Sequence, residues 1–213
     1  MFETLMCPAS WPELTYLQEM VDFRNTSNAN NKNAISKCLS LYYQNVRGLR
    51  TKSHDVFLAT QRLPFDVFAL TETNLTNEFN SNEYFTSDFN IYRRDGQYDP
   101  VVDLTGRGVL IAVHVNFDSS ALTIPNTDNA ELICAKIKIN RKHIFVLCCY
   151  IRPLSPIESY KRLRDAIDFL FDMMDSHDDL FVVGDFNLPN LTWSRSEDNN
   201  DYVQIQTCNI KKL

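Results

Sequence analysis

The sequence predicts an α/β (α+β) fold, with mostly antiparallel sheets covered by helices, and three observations predict it. Short apolar runs of strand length recur from Cys38 onward, and each ends in polar residues. Helical segments interrupt them, one with a clear apolar stripe. Two of the runs, Leu132–Ile139 and His143–Tyr150, are separated only by Asn140-Arg141-Lys142, which suits a hairpin. Strands that alternate with helices, hairpins included, form sheets screened by helices.

The elements follow in order. Residues 1–37 read as a leader. Ser10-Trp-Pro-Glu13 has the form of a capping box opening a short helix through Phe23, and the Asn- and Ser-rich stretch Asn25–Asn33 reads as a linker. Residues 38–213 read as the domain proper. Cys38–Tyr43 is a strand, and Thr51–Leu63 a helix closed by Pro64. Phe65–Leu70 and Arg107–Val115 are continuous apolar strands buried on both faces, the second entered through Gly106 and Gly108. After the hairpin, Ser155-Pro156-Ile157-Glu158 forms a second capping box with proline at the first helical position. Its helix carries Tyr160, Leu163, Ile167, Leu170 and Met174 on one face and four aspartates elsewhere, a core-packing stripe. Asp179–Gly184 is the last buried strand.

The chain of 213 residues is long enough for one domain with a sizeable core. No apolar run approaches the ~20 residues that span a bilayer, so no membrane partner is expected, and no signal peptide is read at the N-terminus. The six cysteines form no C-x-x-C pair, which argues against zinc and for buried, reduced thiols. Adjacent Cys148 and Cys149 should face opposite sides of one strand. The net charge of −6 argues against a generic nucleic-acid binder. A carboxylate cluster around a cation accounts for such a balance while the rim stays basic. Candidate rim residues are Arg47, Arg50, Lys52, Arg93, Arg94 and Arg152.

Three strands end in oxygen-bearing side chains: Asn45, Glu72, and the pair Asp185 and Asn187. Strand ends on one rim are where sites are assembled. Asp185 and Asn187, two apart, should share a face in extended chain. Carboxylates and amide oxygens suit a hard cation such as Mg2+, although polar strand ends also serve simply to cap turns.

Five segments carry a resemblance. Tyr43-Gln-Asn45-Val-Arg-Gly48-Leu49, Leu70-Thr-Glu72-Thr, Gly106-Arg-Gly108-Val-Leu-Ile, Cys149-Tyr150-Ile151-Arg152-Pro153 and Val183-Gly184-Asp185-Phe186-Asn187-Leu-Pro-Asn190-Leu-Thr-Trp193 occur in this order. Order and spacing over residues 38–193 resemble the endonuclease domain of non-LTR (LINE-type) retrotransposons, in the apurinic-endonuclease-like endonuclease/exonuclease/phosphatase superfamily. The resemblance implies a DNase I-like four-layer sandwich, two sheets face to face with helices outside. It implies nicking of target DNA, with DNA and the reverse transcriptase domain of the parent element as partners and an intracellular, nuclear location. It implies Mg2+, with Mn2+ as an alternative, held by Glu72 and Asn45. Asp185 would orient or deprotonate the attacking water, Asn187 would position the phosphate, and Tyr150 would donate to developing charge. Arg152 stands where a proline is common, and with Arg47 it is a candidate phosphate contact.

One departure from the pattern shapes the functional expectation. The family closes its site with a late Ser-Asp-His motif. None of His54, His114, His143 and His177 follows Gly184-Asp185-Phe186-Asn187, and Ser176-His177-Asp178 has the wrong order, so His177 is expected at the surface. The reading is therefore a domain incomplete at its C-terminus and a weak or inactive enzyme. The alternatives are an inactive retrotransposon-derived remnant acting as a binding module, and a superfamily phosphatase acting on small molecules or lipids.

Overall fold

The computed structural model describes residues 39–96, 107–127 and 130–188, together with the backbone of strands at 191–195 and 202–206. The expected leader, its helix and its linker lie outside the described residues. Two four-stranded mixed sheets dominate. The first has order β1-β2-β4-β3: β1 (Leu41–Asn45), β2 (Val67–Thr71), β3 (Phe89–Arg94) and β4 (Val109–His114). The second has order β5-β6-β7-β8: β5 (Asp118–Leu122), β6 (Glu131–Ile139), β7 (Lys142–Tyr150) and β8 (Asp179–Asp185). β1 runs parallel to β2 and β7 parallel to β8, while the other neighbours within these two sheets are antiparallel. β9 (Leu191–Arg195) and β10 (Tyr202–Gln206) form an antiparallel pair.

Side-chain parity explains the layering. Successive residues of a strand face opposite sides. Leu41, Tyr43, Val67, Ala69, Ile111 and Val113 of the first sheet bury against Ile137, Ile144, Val146, Cys148, Phe181 and Val183 of the second. The opposite parity of the first sheet, with Phe68, Leu70 and Leu110, packs under α1 (Ser53–Arg62) through Val56. The opposite parity of the second, with Phe145, Leu147 and Cys149, packs under α2 (Ile157–Met173) through Ala166 and Leu170. Helix, sheet, sheet, helix is the expected four-layer sandwich. Cys148 and Cys149 lie in different cores, as their adjacency required.

Several boundaries differ from the sequence reading, each for a local reason. The first strand runs to Asn45 because β1 pairs along its whole length with β2. The first helix opens as a 3-10 turn at Arg50–Lys52. The hairpin connection shrinks to Asn140-Arg141, since Ile139 pairs with Lys142. Asn140 takes φ +56°, a conformation that suits asparagine in tight hairpin turns. The capping box at Ser155 does not form. Pro156, extended at ψ 159°, is itself the cap residue, and no side chain caps the helix. The Ser155 amide turns back to the Arg152 carbonyl, and Glu158 pairs with Lys161 at 3.6 Å instead. No helix among the described residues is long and apolar enough to cross a membrane.

The buried thiols carry a prediction. Burial pushes the Cys134 and Cys149 thiols up to about 12, the Glu131 charge adding at Cys149, and raises Cys148 well above its usual value. A folded-state pKa above the unfolded one contributes stability that is present below the unfolded value and lost as pH rises toward the folded value. These three thiols therefore stay inert to an alkylating reagent at pH 8 and react only once guanidinium unfolds the chain. Mass mapping of the alkylated sites checks this, and labelling of any of the three in the native protein contradicts the burial.

Candidate functional site

The site sits where the core between the sheets opens. Asn45 continues the inward parity of Leu41 and Tyr43, Tyr150 that of Val146 and Cys148, and Asp185 that of Phe181 and Val183. Parity and strand length alone bring three polar side chains to one end of the sandwich. Glu72 arrives differently. It follows the last residue of β2, where strand parity would turn it outward. Its backbone adopts φ +54°, which is uncommon for a residue other than glycine, asparagine or aspartate. That turn is held by the Gly48 amide on the Glu72 carbonyl at 2.7 Å and the Leu49 amide on the Thr73 carbonyl at 2.9 Å.

The four converge. Asn45 Nδ2 donates to Glu72 Oε1 at 2.8 Å and to Asp185 Oδ2 at 3.0 Å. Asn45 Oδ1 accepts from the Arg47 amide at 3.1 Å. One amide thus ties carboxylates from both sheets, a contact between residues 140 apart in sequence on the Asp185 side. The Tyr150 hydroxyl bonds the Glu72 carboxylate. Burial, then the Glu72 and Asp185 charges, raise its pKa well above the ordinary tyrosine value. Tyr150 is 7% exposed and stays a neutral donor across the working range of pH.

Asn187 departs from its expected placement. Its φ of +45° breaks the extended chain, so it does not continue the face of Asp185. Its amide nitrogen donates to Asp185 Oδ1 at 3.2 Å and its Nδ2 to the Ile151 carbonyl at 2.8 Å. The residue locks the loop after β8 onto the loop after β7. Tyr160 of α2 adds a bond from its hydroxyl to the Phe186 carbonyl at 3.2 Å. Arg47, Glu72 and Asn187 all hold positive φ. Such conformations cost on the order of 1–3 kcal/mol each and cluster at functional sites.

Among the expected basic rim, Arg47 is exposed at the site's edge, and Arg152 reaches Glu131 at 3.4 Å. Arg93 is otherwise engaged. It pairs with Asp95 at 2.6 Å and donates to the carbonyls of Phe79 and Thr76, so it clasps a loop. Arg50 stacks over the Phe79 ring at 4.6 Å, and Lys52 donates to the Val46 carbonyl. Glu131 was not anticipated from the sequence. Its Oε2 accepts from the Gly108 amide at 2.8 Å, and its charge acts on Tyr150. Nothing in the sequence marks it, because a glutamate opening a strand is ordinary. The glycine at 108 is legible in retrospect: at φ +89° a Cβ there would lie 2.4 Å from Thr73 Oγ1.

No group of three or more His, Cys, Asp or Glu placed to hold a metal ion occurs among the described residues. The site instead offers two carboxylates and an amide. The carboxylates are hard oxygen donors, without thiolate or imidazole, while the Asn45 amide turns its NH2 to them and its oxygen to the Arg47 amide. The two carboxylates share one neutral donor, and Glu72 also interacts with the Lys52 charge. That donor set fits Mg2+ or Mn2+ and does not suit a soft metal.

A match to the endonuclease/exonuclease/phosphatase family covers residues 27–204, and the chain belongs to that family. Solved structures share its fold. The human Nocturnin catalytic domain aligns with TM-score 0.53 at 12% identity, over 78% of this chain and 81% of that one. The Neisseria 3′ phosphatase NExo, bound to a product DNA hairpin, aligns with TM-score 0.51 at 20% identity, over 70% of this chain and 58% of that one. The endonuclease domain of TRAS1, a telomere-specific non-LTR retrotransposon, aligns with TM-score 0.48 at 17% identity, over 69% and 58%. The aligned part thus spans less than two thirds of the latter two chains. No curated protein sequence is significantly similar to the chain.

Proposed function

We propose that the chain is a divalent-metal-dependent DNA phosphodiesterase that nicks target DNA for a non-LTR retrotransposon. The observation that carries the reading is the Asn45 amide bridging Glu72 and Asp185. It draws together, from both sheets, the residue types that hold a hard cation and activate water. Glu72 and Asn45 would hold Mg2+ or Mn2+, which when bound would polarise a phosphoryl oxygen and stabilise the leaving oxygen. Asp185, its Oδ1 held by the Asn187 amide, is positioned to orient or deprotonate the attacking water. Tyr150, kept neutral by burial and by the Glu72 carboxylate, would swing its single hydroxyl proton from Glu72 to charge developing on the phosphoryl group.

DNA as substrate is supported by the five retrotransposon-like segments and by a fold neighbour bound to a DNA hairpin. The expected partner is the reverse transcriptase domain of the parent element, primed by the nick. Chromosomal DNA as target implies a nuclear location.

A second reading, a remnant that binds without cleaving, is favoured by the imidazoles. His143 lies at the start of β7 and Tyr150 at its end. His114 closes β4 beside the start of β2, and His177 is exposed in the turn beyond α2. None of these three is at the Asn45 end, while the fourth, His54, is exposed in the first turn of α1. Plasmid nicking separates the readings. The nuclease reading expects open circles with Mg2+, none with chelator and none with Asp185→Ala. A folded chain that nicks under no condition supports the remnant, and cleavage of inositol phosphates without plasmid nicking points to a small-molecule phosphatase.

A further inference from the structure

A cavity of about 200 Å³ lies beside the site, between the start of β6, the end of β7 and the start of α2. Its floor is apolar, from Leu132, Cys149 and Ile151. Its polar wall is Glu131, Tyr150, Arg152, Ser155, Ser159 and Arg162. Tyr150 belongs to both places, because its hydroxyl bonds Glu72 while the residue is also part of the cavity lining. Whatever fills the cavity therefore sits one residue away from the reacting centre.

The charges of this wall do not cancel. Glu131 is committed, accepting from the Gly108 amide at 2.8 Å and facing Arg152 at 3.4 Å. Arg162 is half-buried against the cavity and has neither an ion pair nor a side-chain hydrogen bond among the described residues. The neighbouring Glu158 is paired with Lys161 on the exposed face of the helix. α2 opens at the cavity without a side-chain cap, so its amide dipole adds to the same sign. The two serines supply hydroxyl donors. The Arg162 guanidinium, engaged by no ion pair or side-chain hydrogen bond among the described residues, is open to an anion in the cavity. The space is several times the ~30 Å³ share of one water, so it holds a small oxyanion with its waters.

Resting on the DNA-hydrolase reading above, we infer that this cavity is a second phosphate subsite, in which Arg162, Arg152 and the two serines grip a backbone phosphate flanking the scissile bond. Arg162 positions the strand and takes no part in bond cleavage. Its grip sets which linkage Tyr150 and Asp185 meet. A guanidinium matches a phosphate in two-point geometry, which an ammonium does not.

The test uses binding, without divalent metal, so that it is independent of turnover. Fluorescence anisotropy of a labelled duplex is followed against salt for the whole chain, Arg162→Ala and Arg162→Lys. Arg162→Ala is expected to weaken binding about tenfold, since a charge-assisted contact is lost. It should reduce the slope of log K against log salt by about 1. Arg162→Lys should recover most of the slope and little of the affinity. Unchanged affinity and slope in Arg162→Ala, with binding weakened by Arg47→Ala, overturns the subsite and leaves the DNA reading standing. In parallel, inorganic phosphate is titrated while backbone amide resonances are recorded. Shifts at Ser155, Ser159 and Arg162 that vanish in Arg162→Ala sustain the subsite even if the chain binds no DNA, in which case the DNA reading falls alone. No shifts at these residues, together with no DNA binding, overturns both.

Discussion

Replacing Asp185 with asparagine is expected to lower the rate of plasmid nicking by about 10²–10⁴-fold, the usual cost of losing a general base. The substitution preserves shape and removes the charge. Asp185 Oδ2 accepts from Asn45 Nδ2 at 3.0 Å and Oδ1 from the Asn187 amide at 3.2 Å. An amide in that place can satisfy one of the two donors as an acceptor but must turn its own NH2 toward the other. The stability consequence is small. Glu72 and Asp185 are joined through a single nitrogen, so two negative charges lie within about two hydrogen-bond lengths, and like charges that close repel. Neutralising one relieves that repulsion and offsets the donor left facing an NH2, so the urea midpoint of Asp185→Asn should stay close to that of the parent. A large rate loss with no stability loss marks a catalytic carboxylate. Equal losses in both would make Asp185 a structural residue. Asn45→Ala should reduce the rate as well, and the double substitution should cost far less than the product of the two single effects, because the residues act as one unit.

The layers of the sandwich were legible because they follow from period and polarity alone. Phe65–Leu70 and Arg107–Val115 hold the apolar runs Val67–Leu70 and Val109–Val113, and these became the bodies of β2 and β4, buried on both faces. The stripe from Tyr160 to Met174 became the inner face of α2. Weakly patterned strands were missed. β5, Asp-Ser-Ser-Ala-Leu, is a half-exposed edge whose sequence resembles a loop, and only its pairing with β6 makes it a strand. The cap of α2 was misplaced because a capping box is read from residue types, while the backbone conformation of Pro156 decides where the helix begins.

The clustering of the candidate site was legible more than its geometry. Asn45, Tyr150 and Asp185 share inward parity at strand ends, which spacing can suggest once the strands are assigned. That Glu72 joins them depends on a left-handed turn at that residue, and no side-chain pattern announces it. The extended-chain assumption for Asn187 failed for the same reason. A single positive φ redirects a side chain, so the placement of residues just beyond a strand is decided by loop backbone. Glu131 reaches the site only through tertiary pairing, opposite Tyr150 in the β6–β7 ladder.

The second large effect concerns a residue with no side chain. Gly184 lies within β8, opposite Cys149 of β7 in a parallel ladder. A Cβ at this position would stand 1.9 Å from the Cys149 carbonyl oxygen, 2.8 Å from its carbon and 3.1 Å from its nitrogen. Glycine inside a strand commonly marks such a close backbone approach. The collision cannot be eased by a rotamer change, since every atom met belongs to the main chain. β7 cannot retreat, because it is paired on its other side with β6 and covered on both faces by core. Gly184→Ala must therefore pry β8 away from β7 at the residue before Asp185. It would strain the bond from the Ile151 amide to the Asp185 carbonyl, 2.9 Å in the parent, and draw the Asp185 carboxylate out of reach of Asn45. The expected destabilisation is about 3 kcal/mol or more, at the upper end of overpacking effects. The urea midpoint should fall with little change in slope, and nicking should fall further than the folded fraction explains. Cys149→Ala in the same chain should rescue neither loss, because removing the thiol leaves the carbonyl where it is. A Gly184→Ala protein within about 0.5 kcal/mol of the parent, the range of a neutral surface change, would mean that β7 and β8 do not pair in this register.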